Sequence, residues 1–89
     1  HQMSKKGGVS LFINKTDEGF NNLCGRNVCK YRKEMKISQR VFAERLQLIG
    51  LDVDKNAIQR IEAGKRFVTD IELVALSKAL DRTIDELLR

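Results

Sequence analysis

The sequence predicts an all-α fold, a bundle of five short helices preceded by a flexible N-terminal arm. Three observations predict it. From about Asn22 onward the apolar residues recur at the three- and four-residue spacing of amphipathic helices, with no strand of consequence. The chain has no proline, so its helices must be ended by glycine and opened by capping side chains. Two openings are explicit, because Thr69 is answered three residues later by Glu72, and Thr83 by Glu86, the spacing of the capping box. Eighty-nine residues, 42% of them hydrophobic, suffice for one core and no more.

Residues 1–21 read as a poorly ordered arm that combines Lys5-Lys6 and Gly7-Gly8 with one apolar run, Val9 to Ile13, able to add a short strand or pack on the domain. The domain proper is residues 22–89. Its first helix is expected over 25–36, with Cys24, Val28, Tyr31 and Met35 near one face and Arg32 beside them. Ser38 can cap a second helix that starts at Gln39, turns Phe42, Ala43, Leu46 and Ile49 inward, and stops at Gly50. A loop, LDVD, follows. Asp54 then caps a third helix over 55–63, ended by Gly64, with Ala57, Ile58 and Ile61 as its inward side. Phe67 and Val68 are expected to fill the groove between helices three and four. Helix four, IELVALSKAL, is apolar around most of its circumference and is expected at the centre of the bundle; helix five closes it with Ile84, Leu87 and Leu88.

Charge and composition narrow the function. Residues 1–66 hold 14 Lys/Arg against 7 Asp/Glu, an excess of +7, whereas residues 67–89 hold 3 against 5, or −2. A basic front part points to a polyanion, and nucleic acid is favoured over membrane because no cationic helix is backed by bulky aromatics. No stretch is long and apolar enough to span a bilayer, and the start lacks a signal-peptide pattern, so a cytosolic location is expected. The two cysteines, Cys24 and Cys29, are not spaced as a metal-binding pair, and the single histidine is His1. No metal, cofactor or small-molecule ligand is therefore expected. The same scarcity argues against an enzyme: there is no Ser/His/Asp set and no phosphate-binding glycine loop.

The segment GLDVDKNAIQRIEAGKR carries the chemistry. If it is helical after Asp54, Lys55, Asn56, Gln59 and Arg60 occupy one arc and Ala57, Ile58 and Ile61 the opposite one. Two short helices joined by a connection, the second with a polar outward face, form the helix-turn-helix pattern, whose second helix enters the DNA major groove. Asn and Gln can bond adenine bidentately, Arg and Lys can bond guanine acceptors, and all four can hold phosphate. Ser38-Gln39 at the positive end of helix two suits a phosphate, Arg40 is a candidate backbone contact, and Lys65-Arg66 could clamp the strand on the other flank.

Residues 23–88 resemble the lambda-repressor and Cro type helix-turn-helix family, also called xenobiotic-response-element type. The stretches that carry the resemblance are YRKEMKISQRVFAERL, AIQRIEAGKR and LVALSKALDRTIDELL, in order over five helices. The resemblance implies a lambda-repressor-like DNA-binding bundle and a repressor-like regulator that binds double-stranded DNA. It implies that Gln39 holds a phosphate and reaches toward a base, that Lys55, Asn56, Gln59 and Arg60 lie on the base-reading face, and that Arg32 pairs with Glu62 as a structural ion pair. Two departures stand out. The connection QLIGLDVD is longer than the family's tight turn, so either helix two is extended or the turn is a real loop, which would tilt the reading helix or add Asp52 and Asp54 near DNA, where neither acid suits a phosphate. Asp81 stands where the family has a C-cap glycine, which asks it for a left-handed conformation.

A homodimer is expected, since one small helix reads one half-site. Either helix five with neighbouring apolar residues or the VSLFI arm would form its interface. The competing reading is a protein-interaction module, an antitoxin, adaptor or regulatory subunit on the same fold with little or no DNA contact; it would gain if the four polar residues were tied up in salt bridges.

Overall fold

The computed structural model describes residues 14–89, which form five α-helices: α1 (Gly25–Glu34), α2 (Gln39–Leu48), α3 (Lys55–Glu62), α4 (Asp70–Leu80) and α5 (Ile84–Leu88). The Val9–Ile13 run and Lys5-Lys6 lie outside the described residues.

Each helix begins where a side chain replaces the missing backbone acceptor. The hydroxyl of Ser38 accepts from Val41 N at 3.0 Å, and Asp54 Oδ1 accepts from Ala57 N at 2.8 Å. Both capping boxes are closed: Thr69 and Glu72 bond reciprocally at 3.2 and 3.0 Å, Thr83 and Glu86 at 3.0 and 2.9 Å. The start of α1 is served from further back, by Asn22 Oδ1, which accepts from Gly25 N at 2.8 Å.

Four helices end in a left-handed residue that returns a backbone NH to the last turn. Two are glycines, Gly50 (φ 99°) and Gly64 (φ 77°); the others are Lys36 (φ 60°) and Asp81 (φ 53°). Lys36 therefore ends the first helix short of the expected 36, at Glu34, with Ile37 N donating back to Arg32 O. Asp81 adopts the conformation asked of it, and Arg82 N closes the turn on Ser77 O at 3.1 Å.

The core gathers where α1, α2 and α3 meet, with α4 and α5 laid against them. Val28, Phe42, Leu46, Ile58, Ile61, Leu76 and Leu87 are fully buried. At about 1.5–3 kcal/mol for each large apolar side chain taken from water, this shared cluster is the main stabilising contribution. α1 and α3 approach so closely that a Cβ on Gly25 would stand 2.2 Å from Ile61 O, which only a glycine permits.

Four expectations about packing are corrected. Helix four is not the centre: only Leu76 and Leu80 are buried, while Ile71 is 75% and Val74 40% exposed, because α4 packs along one side of the bundle. Ile49 is 50% exposed, since α2 stops at Leu48 and Gly50 reverses the chain, so that Leu51 rather than Ile49 turns toward the core. In the five-residue α5 only Leu87 reaches the core, leaving Ile84 and Leu88 exposed. Phe67 is exposed, and of the pair Val68 alone packs against the core.

The stretch 14–21, assigned to the arm by sequence, lies against the domain. A turn closes with Thr16 N donating to Phe20 O at 2.8 Å, and Phe20 covers Gly64, where a Cβ would meet the ring at 2.6 Å. Asn21 N then donates to Gly64 O at 2.7 Å.

Left-handed backbone at a side chain with a Cβ is strained. We expect Lys36→Gly to stabilise the domain by about 0.5–1 kcal/mol, the strain relieved less the extra entropy glycine loses on folding. Asp81→Gly should gain less, since Asp tolerates this region better. Urea unfolding checks both: the midpoint should rise with an unchanged slope.

Candidate nucleic-acid interface

α3 presents the polar face. Because Asp54 fixes its first turn, Ile58 and Ile61 point into the core and Lys55, Asn56, Gln59 and Arg60 all stand exposed on the other side. Among the described residues none of these four side chains enters an ion pair. Four polar groups, two of them cationic, are thus left free on one arc.

The orientation of α3 is set at its far end. The Glu62 carboxylate accepts from Arg32 Nε at 2.6 Å, from Arg32 Nη2 at 3.0 Å and from Gln39 Nε2 at 3.0 Å, while Arg32 Nη1 donates to Ile37 O at 2.8 Å. The side chains of Arg32 and Glu62 are only 9% and 5% exposed. One carboxylate therefore joins α1, the α1–α2 turn, the start of α2 and the end of α3. Burial pushes the Glu62 carboxyl up, but the hydrogen bonds from Arg32 and Gln39, with the arginine's charge, outweigh it and hold the group below its ordinary value. The same hydrogen bond raises Arg32, against its burial.

The α2–α3 connection is a real loop, and it is pinned. Leu51 N donates to Leu46 O at 2.9 Å, Gln47 Nε2 to Val53 O at 2.6 Å, and Val53 is buried. The extra residues do not loosen α3.

The remaining residues singled out by sequence are placed as follows. Gln39 is half-buried at the start of α2, its amide NH engaged by Glu62 and its carbonyl oxygen in no hydrogen bond among the described residues. Arg40 is exposed, 3.7 Å from Glu44 in a loose i,i+4 pair that contributes little. Lys65 is exposed just beyond α3 and in no ion pair among the described residues. Arg66 is different. Its Nη1 and Nη2 both bond the Glu72 carboxylate at 3.0 Å, which straps the α3–α4 link to the first turn of α4. Burial raises Glu72, but Arg66 and the capping bonds of Thr69 bring it below its ordinary value.

Asn22 was missed by sequence. Its amide NH donates to Ile61 O at 3.1 Å and Arg66 O at 2.8 Å while its carbonyl caps α1, so it ties the end of the reading helix to the start of α1. The available signal was the Asn22-x-x-Gly25 spacing of a side-chain cap. Burial pushes the Cys24 thiol up to about 11, and Cys29 Sγ accepts from Arg32 Nη2 at 3.8 Å. Among the described residues no helix is long and apolar enough to cross a membrane, and no group of His, Cys, Asp and Glu could hold a metal ion.

A short helix held rigidly from behind, with its outward face polar, basic and, among the described residues, uncommitted, is the form of the reading helix of a helix-turn-helix DNA-binding protein. The sequence model of the helix-turn-helix family matches residues 30–87. Two solved structures share the fold. One is the restriction-modification controller protein C.AhdI from Aeromonas hydrophila, 25% identical, with a TM-score of 0.62 over 71% of this chain and 84% of that one. The other is the P22 c2 repressor protein, solved in complex with synthetic operator 9T in the presence of Tl+; it is 31% identical, with a TM-score of 0.65 over 76% of this chain and 96% of that one. No curated protein sequence is significantly similar to the chain. The chain belongs to the lambda-repressor and Cro type helix-turn-helix family.

The Glu62 centre yields a stability prediction. Glu62→Ala leaves Arg32 buried without its charged partner and should cost about 3–5 kcal/mol, whereas replacing both by apolar residues, Arg32→Met with Glu62→Leu, should cost far less. Because the folded Glu62 carboxyl lies below its unfolded value of about 4.3, its contribution is complete above that pH and is lost as pH falls further, through the lower folded value. Urea midpoints measured from pH 6 to pH 3 should therefore fall on acidification in the wild type and fall less in the double variant.

Proposed function

We infer that the protein is a sequence-specific double-stranded DNA-binding transcription regulator of repressor type, with α3 as its recognition helix. The observation that carries this reading is the free arc of Lys55, Asn56, Gln59 and Arg60 on a helix whose orientation is fixed through Glu62. The family membership and the likeness to a repressor solved on an operator support it. In the major groove Asn56 and Gln59 read adenine, and Lys55 and Arg60 read guanine or hold phosphate. Lys65 clamps the backbone on one flank, and Arg40 and the amino end of α2 with Gln39 approach it on the other. Arg66 stays with Glu72 and positions the turn that presents Lys65.

The competing protein-interaction reading would gain from a polar arc tied up in salt bridges. Among the described residues none of the four side chains enters one, which favours DNA. Residues 22–89 form the DNA-binding domain, with residues 14–21 packed on it. Work on DNA places the protein in the bacterial cytosol or nucleoid, and a two-fold operator would be met by a homodimer. Its function is recognition, with no catalytic step assigned to it.

Selection from random duplexes should yield a preferred site. Asn56→Ala or Gln59→Ala should relax the preference at single positions, each worth about 1–3 kcal/mol. Lys65→Ala should weaken every sequence alike and reduce the dependence of log affinity on log salt by about 1. Gel shifts on the selected and scrambled duplexes across a salt series distinguish the two outcomes.

A further inference from the structure

We propose that Asp52, in the loop before the recognition helix, is a specificity-determining residue whose carboxylate accepts a hydrogen bond from cytosine N4 in the major groove. The assignment rests on the DNA-binding reading above.

Three observations carry it. The first is placement. Leu51 and Val53 face the core, and Val53 N donates to Leu51 O at 3.0 Å, closing a tight turn with exposed Asp52 at its centre. With Gln47 holding Val53 O, Asp52 is presented from fixed backbone three residues before the start of α3. The second is the lack of a partner. Within residues 25–66, Glu34, Glu44 and Glu62 each pair with an arginine and Asp54 caps α3; among the described residues Asp52 has neither an ion pair nor a capping bond. A carboxylate left free on the basic part of the chain precedes the exposed, cationic Lys55 and the exposed amide of Asn56 by three and four residues.

The third is chemistry. A carboxylate is acceptor-only, so a phosphate repels it. In the major groove guanine offers two acceptors and thymine an acceptor and a methyl group. Adenine offers its N6 donor beside the N7 acceptor, and cytosine offers a donor alone. Cytosine is thus the one base whose major-groove edge suits Asp52. Lys55, three residues on, can take O6 and N7 of the paired guanine, so that neighbouring groups read one C·G pair from both strands. The positive end of α3 favours the negative charge there. The loop that lengthens the helix-turn-helix connection becomes a reading element instead of a spacer.

The test is selection from random duplexes with the wild type, Asp52→Ala and Asp52→Asn, with urea midpoints to show that the fold is unchanged. The wild type should require cytosine at one position of each half-site. Asp52→Ala should relax that position by about five- to hundredfold and leave the others intact. Asp52→Asn should move the preference there to adenine, because an amide meets N6 and N7 together. If both variants keep every wild-type preference, or change affinity for all sequences alike, the assignment is overturned while DNA recognition stands. If the wild type itself selects no duplex, the DNA-binding reading falls and this assignment falls with it.

Discussion

The Glu62 carboxylate is the constraint on which the rest depends. Arg32 and Gln39 converge on it, and Arg32 at the same time holds Ile37 O, so three helices and one turn share a single nearly dry ionic centre. A pair this buried contributes little net stability, because desolvation offsets most of the attraction. What it does supply is direction. A guanidinium fork accepts a carboxylate in few geometries, so the end of α3 is fixed in rotation as well as position. An apolar contact of the same size would leave the helix free to roll by some degrees.

Rotation is what a reading helix must not lose. Ile58 and Ile61 hold the inward side of α3 by burial, Asp54 holds its first turn, and Asn22 binds the carbonyl of Ile61 from behind. Among the described residues the outward side consequently makes no ion pair or side-chain hydrogen bond, and its polar groups are available to a ligand. The arginine next along the chain shows the contrast. Arg66 is the same residue type as Arg60, but its fork is occupied by Glu72, and it builds the turn. Whether a cation serves the fold or faces outward is decided by the nearest carboxylate, not by the charge pattern.

Much of this was legible in the sequence, for physical reasons that differ from element to element. Caps are local, so Ser38, Asp54, Thr69 and Thr83 announced their helices within a residue. Periodicity placed Ile58 and Ile61 inward because α3 has a narrow apolar face. It failed for α4, where apolar residues on every side say nothing about which side is covered, and Ile71 and Val74 are in fact exposed. The end of α1 at Glu34 was hidden because Lys36 occupies a left-handed position normally signalled by glycine. The exposed arc of α3 could be drawn on a helical wheel. The occupation of Arg66 and Gln39 could not, since it depends on contacts 6 and 23 residues away in sequence. The packing of residues 14–21 on Gly64 was equally out of reach, because a turn tied by backbone hydrogen bonds leaves little trace in side-chain pattern.

The central claim is that α3, rotated into place by Glu62, is the surface that meets DNA. Nuclear magnetic resonance titration of the protein with its selected duplex tests it most directly. The largest shift changes should fall on the amides and side chains of Lys55, Asn56, Gln59 and Arg60 and at the start of α2, with α4 and α5 little affected. Changes centred on the exposed α4 face at Ile71 and Val74, with residues 55–60 unmoved, would show that α3 is not the reading element.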